Sequence, residues 1–109
     1  VENAYQSAKF SKEHCKLFMN ISPIDAKRIS RTMPMIYQHD YWEMIRLSIM
    51  HECLVSKFEN DTLNIQLIET APKHLAETNW WGDHYWGCNK DGVGENQLGV
   101  LLMQIRNHV

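Results

Sequence analysis

The sequence predicts a mainly α-helical protein with minor β structure, folded as one compact domain over residues 1–109. Three observations predict this class. Apolar residues recur at helical spacing after Asp40, helix starts are indicated at Ser22 and at Asn60-Asp61, and the last apolar segment is again helical in period. The chain is 44% hydrophobic and 22% charged, which is ordinary for a globular domain of 109 residues.

The N-terminal segment, residues 1–20, is predicted to form two short helices with an interruption at Ser11. The next helix begins where Ser22 can cap the first turn and Pro23 suits its geometry. It stops before Pro34, because the residue that precedes a proline avoids the helical region.

The most strongly periodic segment begins at Asp40, which is a suitable N-cap. Two adjacent apolar stripes predict a long helix that is buried over more than half of its girth. The stripes are Trp42, Ile45, Ile49 and Cys53, and Met44, Leu47, Met50, Leu54 and Phe58. Asn60 and Asp61 end this helix and start a further one, which Pro72 terminates.

Residues 79–94 have a different composition, since they hold four of the five glycines and three of the four tryptophans. No helical or strand pattern fits them, so they are predicted to form a loop. The preceding segment, residues 73–78, is short enough for a single strand or a turn. A last helix is predicted from Glu95 to about His108.

Two interpretations of this loop stay open. Indole rings are suited to hold a planar ring such as a nucleobase, and Gly87 allows the backbone to pass close to a ligand. Residues 92–96 lead into a helix N-terminus, whose exposed N–H groups would favour a phosphate. Alternatively, the tryptophans cover a small core and the glycines serve turns.

The charge and the cysteines limit the classes of partner. The net charge of −2 disfavours a protein that binds nucleic acid without sequence preference. Three widely spaced cysteines without a C-x-x-C pair do not predict a disulfide framework, and they favour a cytoplasmic location. Neither a membrane span nor a metal site is expected, because no apolar run is long enough and no ligand spacing suits zinc.

One helical face near the N-terminus combines four polar functional groups. Glu2, Tyr5, Gln6 and Lys9 stand at positions i, i+3, i+4 and i+7, which lie on one side of a helix. This face is either the wall of a polar pocket or a solvated helix surface.

The chain contains four short motifs, and their order along the chain is more informative than any single one of them. They are ENAYQSAKF at 2–10, Trp42 with Met50 and Lys57-Phe58, DHYWG at 83–87, and DGVGENQLG at 91–99 with LLM at 101–103 and Arg106. In this order they resemble the motifs of the NADAR (YbiA-like) family of N-glycosidases, and the resemblance extends from residue 1 to about residue 107.

The resemblance implies a mainly helical fold and hydrolysis of the bond between a (phospho)ribose or ADP-ribose and a base. Ribosylaminopyrimidine phosphates of the riboflavin pathway and ADP-ribosylated guanine are the substrates that it implies. The implied partner is thus a small ribosyl or ADP-ribosyl molecule, with ADP-ribosylated nucleic acid as a further candidate and no membrane. No metal or redox cofactor is required for this reaction.

The resemblance and the chemistry together name the candidate site residues. Glu2 and Asp83 are the predicted catalytic residues, since carboxylates can stabilise an oxocarbenium-like sugar and activate water. Which carboxylate has which role stays open. The predicted substrate-binding residues are Trp42, Trp86, Gln6, Lys9, Gly87 and Asn96.

The sequence also departs from the family pattern. Asn3 stands where the family has His, and the family's N-terminal segment has no counterpart before Val1. We therefore expect the NADAR domain to be incomplete at its N-terminus. A non-catalytic module that binds ADP-ribose or nucleotides is the alternative function, and a helical interaction module is a third. The presence of both Glu2 and Asp83 favours the enzyme.

Overall fold

The computed structural model describes residues 1–10, 14 and 16–107, and the part it describes is mainly helical. In chain order the elements are α1 (Glu2–Ser7), a 3-10 helix (Lys16–Phe18), α2 (Pro23–Ser30), α3 (His39–Lys57), α4 (Asp61–Glu69) and α5 (Gln97–Asn107). Within the described residues, β structure amounts to an isolated parallel bridge between Thr78 and Cys88. The predicted class, mainly α with minor β, is confirmed. The predicted interruption at Ser11 lies outside the described residues.

Capping residues determine where α2 and α4 begin. The cap at Ser22 agrees with the prediction, and the predicted helix start at Asn60-Asp61 is explained by a cap at Asn60. The Ser22 side chain accepts a hydrogen bond from the Asp25 N–H at 3.2 Å. The Asn60 side chain accepts one from the Leu63 N–H at 3.1 Å. Each bond satisfies a backbone donor that a helix N-terminus would otherwise leave without a partner.

The long helix α3 differs from the prediction in two details. It begins at His39, so Asp40 lies in its first turn, where the carboxylate still favours the helix dipole. Trp42, Met50 and Leu54 are its buried residues, whereas the Met44 side chain is 76% exposed. The buried face is therefore narrower than two full stripes, because only part of each stripe meets other side chains.

Contacts group the chain into two compact units, Val1–Leu54 and Val55–Val109. In the first unit, Phe10, Phe18 and Ala26 form a buried cluster. The Phe10 and Phe18 rings stack with their centroids 5.5 Å apart. Asn3 fixes α1 to this cluster, since its Nδ2 donates to the carbonyls of Phe18 and Ile21 at 2.9 and 2.7 Å. Asn3 therefore has a structural role that the sequence did not indicate.

The second unit is built from α4, α5 and the segment between them. Leu67 of α4 and Leu101 of α5 are buried, and the two helices contact each other. Arg106 joins the end of α5 to the segment after α4, because its Nη1 donates to the Thr70 hydroxyl at 3.0 Å and the Lys73 carbonyl at 2.8 Å. Among the described residues no helix is long and apolar enough to cross a membrane.

The start of α5 is tied to residues 75–77 by a buried amide. The Asn96 Oδ1 accepts from the Glu77 N–H, and its Nδ2 donates to the Leu75 carbonyl, both at 2.9 Å. Gly99 lies against the same groups. A Cβ at Gly99 would overlap the Leu75 carbonyl oxygen and the Asn96 amide. The absence of a side chain is thus a packing requirement at this position.

Gly99→Ala is expected to lower the free energy of unfolding by about 1–3 kcal/mol, the usual cost of forcing extra atoms into a packed site. The loss is expected although alanine has the higher helix propensity. Urea denaturation followed by circular dichroism measures it. Gln104→Ala, at an exposed position of the same helix, is the control and should cause no loss. A Gly99→Ala protein as stable as the parent would contradict this packing argument.

Candidate functional site

In the first unit, α1 and α3 bring together Glu2, Tyr5, Gln6, Lys9 and Trp42, here called the Glu2 cluster. Tyr5, Gln6 and Trp42 are only 6%, 7% and 4% exposed, and Glu2 and Lys9 are half-buried. The predicted face of α1 is therefore turned toward the protein and is not a solvated helix surface. Of the two alternatives that the sequence left open, the geometry fits the wall of a polar site.

Gln6 holds the Glu2 carboxylate in place. Its Nε2 donates to Glu2 Oε1 at 2.7 Å, across one turn of α1. The Gln6 Oε1 is buried and has no hydrogen-bond partner in the described part of the chain. A buried acceptor without a partner costs about 1–3 kcal/mol. Gln6 thus maintains the orientation of Glu2 through its Nε2, while its Oε1 has no hydrogen-bond partner among the described residues.

Aromatic rings and an ammonium group complete the Glu2 cluster. The Tyr5 and Trp42 ring centroids are 5.4 Å apart, and the Lys9 Nζ lies 5.5 Å from each of them. Burial is the main cause that lowers the pKa of Lys9; the nearby Glu2 opposes the shift, and Arg31 and Arg46 add to it. The two rings are tilted by 53° and almost fully buried, so they form an apolar wall behind one carboxylate and one cation.

In the second unit, Asp83 organises the turn that carries Trp86. Its Oδ1 accepts from the backbone N–H groups of Tyr85 and Trp86 at 3.1 and 2.9 Å. The Trp86 side chain is half-buried, and its ring meets that of Tyr85 edge to face at a centroid distance of 4.8 Å. Asp83 therefore has a structural role in its own loop, whether or not it also acts in catalysis.

The N-terminus of α5 is not available to a phosphate in the way the sequence suggested. The N–H groups of residues 95, 96, 97 and 98 donate to the carbonyls of His84, Gly87, Tyr85 and Trp86 at 2.7, 3.1, 3.0 and 3.0 Å. That expectation is wrong for these four amides, because the preceding loop folds back and caps the helix. Period and spacing could not show this, since the donors and acceptors lie about ten residues apart.

Packing within the second unit also accounts for Gly87 and Asn96. Gly87 is buried, and a Cβ there would overlap the Glu77 carbonyl oxygen and lie 2.5 Å from the Asn79 Nδ2. Asn96 uses its amide on the backbone of residues 75 and 77. Contact of either residue with a substrate stays a prediction, because their observed partners belong to the protein itself.

A cavity in the second unit lies beside the glycine-rich loop. Its volume is about 400 Å³. Its polar lining includes His74, Thr78, Asn89, Lys90 and Glu95. The sequence did not indicate this cavity. No group of three or more His, Cys, Asp or Glu side chains within the described residues is arranged to hold a metal ion.

Comparison with known proteins identifies the class to which this fold and these residues belong. The family model of the NADAR domain matches residues 1–109. The chain belongs to the NADAR family, and the resemblance that the four motifs indicated is confirmed.

Individual relatives agree with this assignment. The chain is 33% identical to the N-glycosidase YbiA of Shigella flexneri over 99% of its own length and 68% of that protein. It is 32% identical to a riboflavin biosynthesis protein of Vibrio vulnificus, of which it covers 30%. The solution structure of YbiA from E. coli superposes with a TM-score of 0.82 at 33% identity. The chain covers 64% of that solved chain, with 98% of its own residues matched.

Proposed function

We propose that this protein is an N-glycosidase, a hydrolase that cleaves the bond between a (phospho)ribosyl or ADP-ribosyl group and a base. The observation that carries the proposal is the Glu2 carboxylate, fixed by Gln6 at 2.7 Å in a cluster with Trp42 and a half-buried Lys9. Relatives named N-glycosidase support the same enzyme class, and the predicted hydrolase agrees with them.

The proposed chemistry follows from the charges of the Glu2 cluster. When the base departs, the sugar becomes oxocarbenium-like, and a fixed carboxylate stabilises its positive charge or takes a proton from the attacking water. The Tyr5 and Trp42 rings exclude water and strengthen that electrostatic effect. Lys9 would balance a substrate phosphate. Asp83 is proposed as the second acidic residue of the reaction, and its contribution is tested separately below.

Two substrate classes are proposed. The name of the Vibrio vulnificus relative supports a riboflavin-pathway ribosylaminopyrimidine phosphate. ADP-ribosylated guanine is the second substrate to be tried, since it presents the same kind of bond next to an anionic sugar. The proposed partner is a small ribosyl or ADP-ribosyl molecule, with ADP-ribosylated nucleic acid as the further candidate. A cytoplasmic location remains a prediction.

Gln6→Met tests whether the amide orients the reacting carboxylate. The free energy of unfolding is expected to stay within about 1 kcal/mol of the parent, because the change removes one hydrogen bond and one buried unsatisfied acceptor together. The kcat for base release should fall about tenfold, since Glu2 loses its anchor. Ser7→Ala on the same helix is the control and should affect neither. Unchanged kcat in Gln6→Met would mean that Glu2 needs no positioning by Gln6.

The function itself is tested by measuring free base released from ribosylaminouracil phosphate and from ADP-ribosyl-guanine in parallel assays. Turnover of either substrate supports the N-glycosidase and selects the substrate class. Tight binding of a substrate without turnover would instead support a non-catalytic nucleotide-binding module. If the folded protein neither binds nor cleaves either substrate, both functions are refuted.

A further inference from the structure

An arginine lies in the middle of the buried face of α3. Trp42 and Met50 are buried residues of this helix, and Arg46 stands one turn from each of them on the same side. The Arg46 side chain is only 21% exposed. Charged side chains are seldom placed so deeply unless they are paired or serve a ligand. The surroundings of Arg46 therefore decide which role it has.

The charge of Arg46 reaches the Glu2 cluster. Trp42, one turn before Arg46, has the Lys9 Nζ 5.5 Å from its ring centroid. Burial lowers the pKa of Lys9 most, and the nearby Glu2 opposes the shift. The positive charges of Arg31 and Arg46 lower that pKa further, so three cations lie within reach of one another. Such a concentration of positive charge favours an anionic ligand.

The Arg46 guanidinium is paired with an exchangeable carboxylate. Its Nη2 lies 2.6 Å from the Glu43 Oε2, and the His39 Nε2 lies 3.5 Å from the Oε1 of the same carboxylate. The Glu43 side chain is 38% exposed, so the carboxylate is the more solvated member of the pair. Exposed ion pairs on a helix contribute little to stability. Glu43 can therefore leave Arg46 for water beside His39 at small cost.

We propose that Arg46 binds a phosphate group of the substrate and that Glu43 is its resident counter-ion, which this phosphate displaces. The inference rests on the proposed function and deepens it, because it names the residue that selects the anionic group and the residue that competes with it. A guanidinium binds two phosphate oxygens through parallel N–H donors. A phosphate monoester carries a charge of about −1.5 to −2 at pH 7, so it outcompetes a single carboxylate.

The charge balance after the exchange suits the proposed reaction. Before it, the cations Lys9, Arg31 and Arg46 are balanced in part by Glu2 and Glu43. Once a phosphate has replaced Glu43, the three cations compensate the ligand, and the Glu2 carboxylate is left to act on the sugar. A merely structural ion pair makes the opposite prediction, since neither of its members would then change the binding of a sugar phosphate.

Isothermal titration calorimetry with ribose 5-phosphate and with ribose tests the role of Arg46 without requiring turnover. The parent is expected to bind ribose 5-phosphate at least tenfold more tightly than ribose. Arg46→Gln should lose about tenfold in affinity for ribose 5-phosphate, and Arg46→Lys, which keeps the charge without the planar fork, about threefold. Arg28→Gln, which removes a 71% exposed cation from α2, is the matched control and should bind as the parent does.

Glu43→Gln tests the exchange, because a displaced counter-ion predicts an effect of the opposite sign. Binding of ribose 5-phosphate should become about threefold tighter, and the same change in an Arg46→Gln background should have no effect. Asp40→Asn removes an equal charge from an exposed position of α3 and should leave the affinity unchanged. Equal tightening by Asp40→Asn and Glu43→Gln would show a general field effect and would overturn the inference.

ADP-ribose, titrated in parallel, identifies which phosphate Arg46 binds. A larger loss for ribose 5-phosphate in Arg46→Gln assigns Arg46 to a terminal phosphate, and a larger loss for ADP-ribose assigns it to the diphosphate. Equal binding of both ligands by the parent and by folded Arg46→Gln would overturn the inference. If circular dichroism shows that Arg46→Gln does not fold, Arg46→Lys and Glu43→Gln decide in its place.

Turnover separates this inference from the proposed function. Binding of ribose 5-phosphate that depends on Arg46, in a protein that cleaves nothing, would support the inference and refute the N-glycosidase. Cleavage of a phosphorylated substrate with the same KM in the parent and in Arg46→Gln would overturn the inference alone. Where both hold, Arg46→Gln should raise KM by about tenfold and change kcat less.

Discussion

Glu2→Gln is expected to lower the kcat for base release by about 10²–10³-fold, the range seen when one electrostatic group is removed from a transition state. Glutamine has the size of glutamate and keeps an oxygen that accepts from the Gln6 Nε2, so the geometry of α1 should persist. What disappears is the negative charge opposite the developing sugar cation. The loss should therefore fall on kcat more than on KM.

Steady-state release of free base, followed by absorbance or chromatography, measures this effect. The control is Glu52→Gln, which removes an exposed carboxylate from the same unit and should retain parental kcat. Thermal unfolding of both variants should match the parent within a few degrees. Glu2→Gln activity within threefold of the parent would refute the assignment of Glu2, and with it the mechanism proposed for the Glu2 cluster.

The helices could be predicted from the sequence because the interactions that start them are local. Ser22 and Asn60 accept hydrogen bonds from residues three positions later, so the start of α2 and of α4 could be predicted from capping alone. The extent of burial on α3 could not be predicted in the same way. Met44 has the period of a core residue, yet it is 76% exposed in the part of the chain that the structure describes, and only tertiary contacts decide that.

The same distinction holds for the candidate site. Helical period placed Glu2, Tyr5, Gln6 and Lys9 on one face, and the structure shows that this face is the buried one. The contact with Trp42 joins residues far apart in the chain, so spacing could not give it; the family resemblance indicated it instead. The capping of α5 by carbonyls of residues 84–87 also depends on how a loop folds back. The predicted phosphate site at this helix N-terminus is wrong for that reason.

Asp83 requires two substitutions, because its carboxylate already has a structural function. In Asp83→Asn the Oδ1 acceptor remains, so the bonds from the Tyr85 and Trp86 N–H groups should persist and the free energy of unfolding should change little. In Asp83→Ala both donors lose their partner, and a decrease of about 2 kcal/mol is expected. Urea denaturation distinguishes the two variants before any activity is measured.

The kcat per folded molecule then shows whether Asp83 acts in catalysis or only supports the loop. A catalytic carboxylate predicts that Asp83→Asn loses about a hundredfold in kcat despite its intact turn, since the amide can neither take a proton nor stabilise a cation. A purely structural Asp83 predicts that the Asn variant keeps its kcat within threefold and that only Asp83→Ala is impaired. The second outcome would leave Glu2 as the single proposed catalytic carboxylate. It would limit Asp83 to holding the aromatic loop in shape.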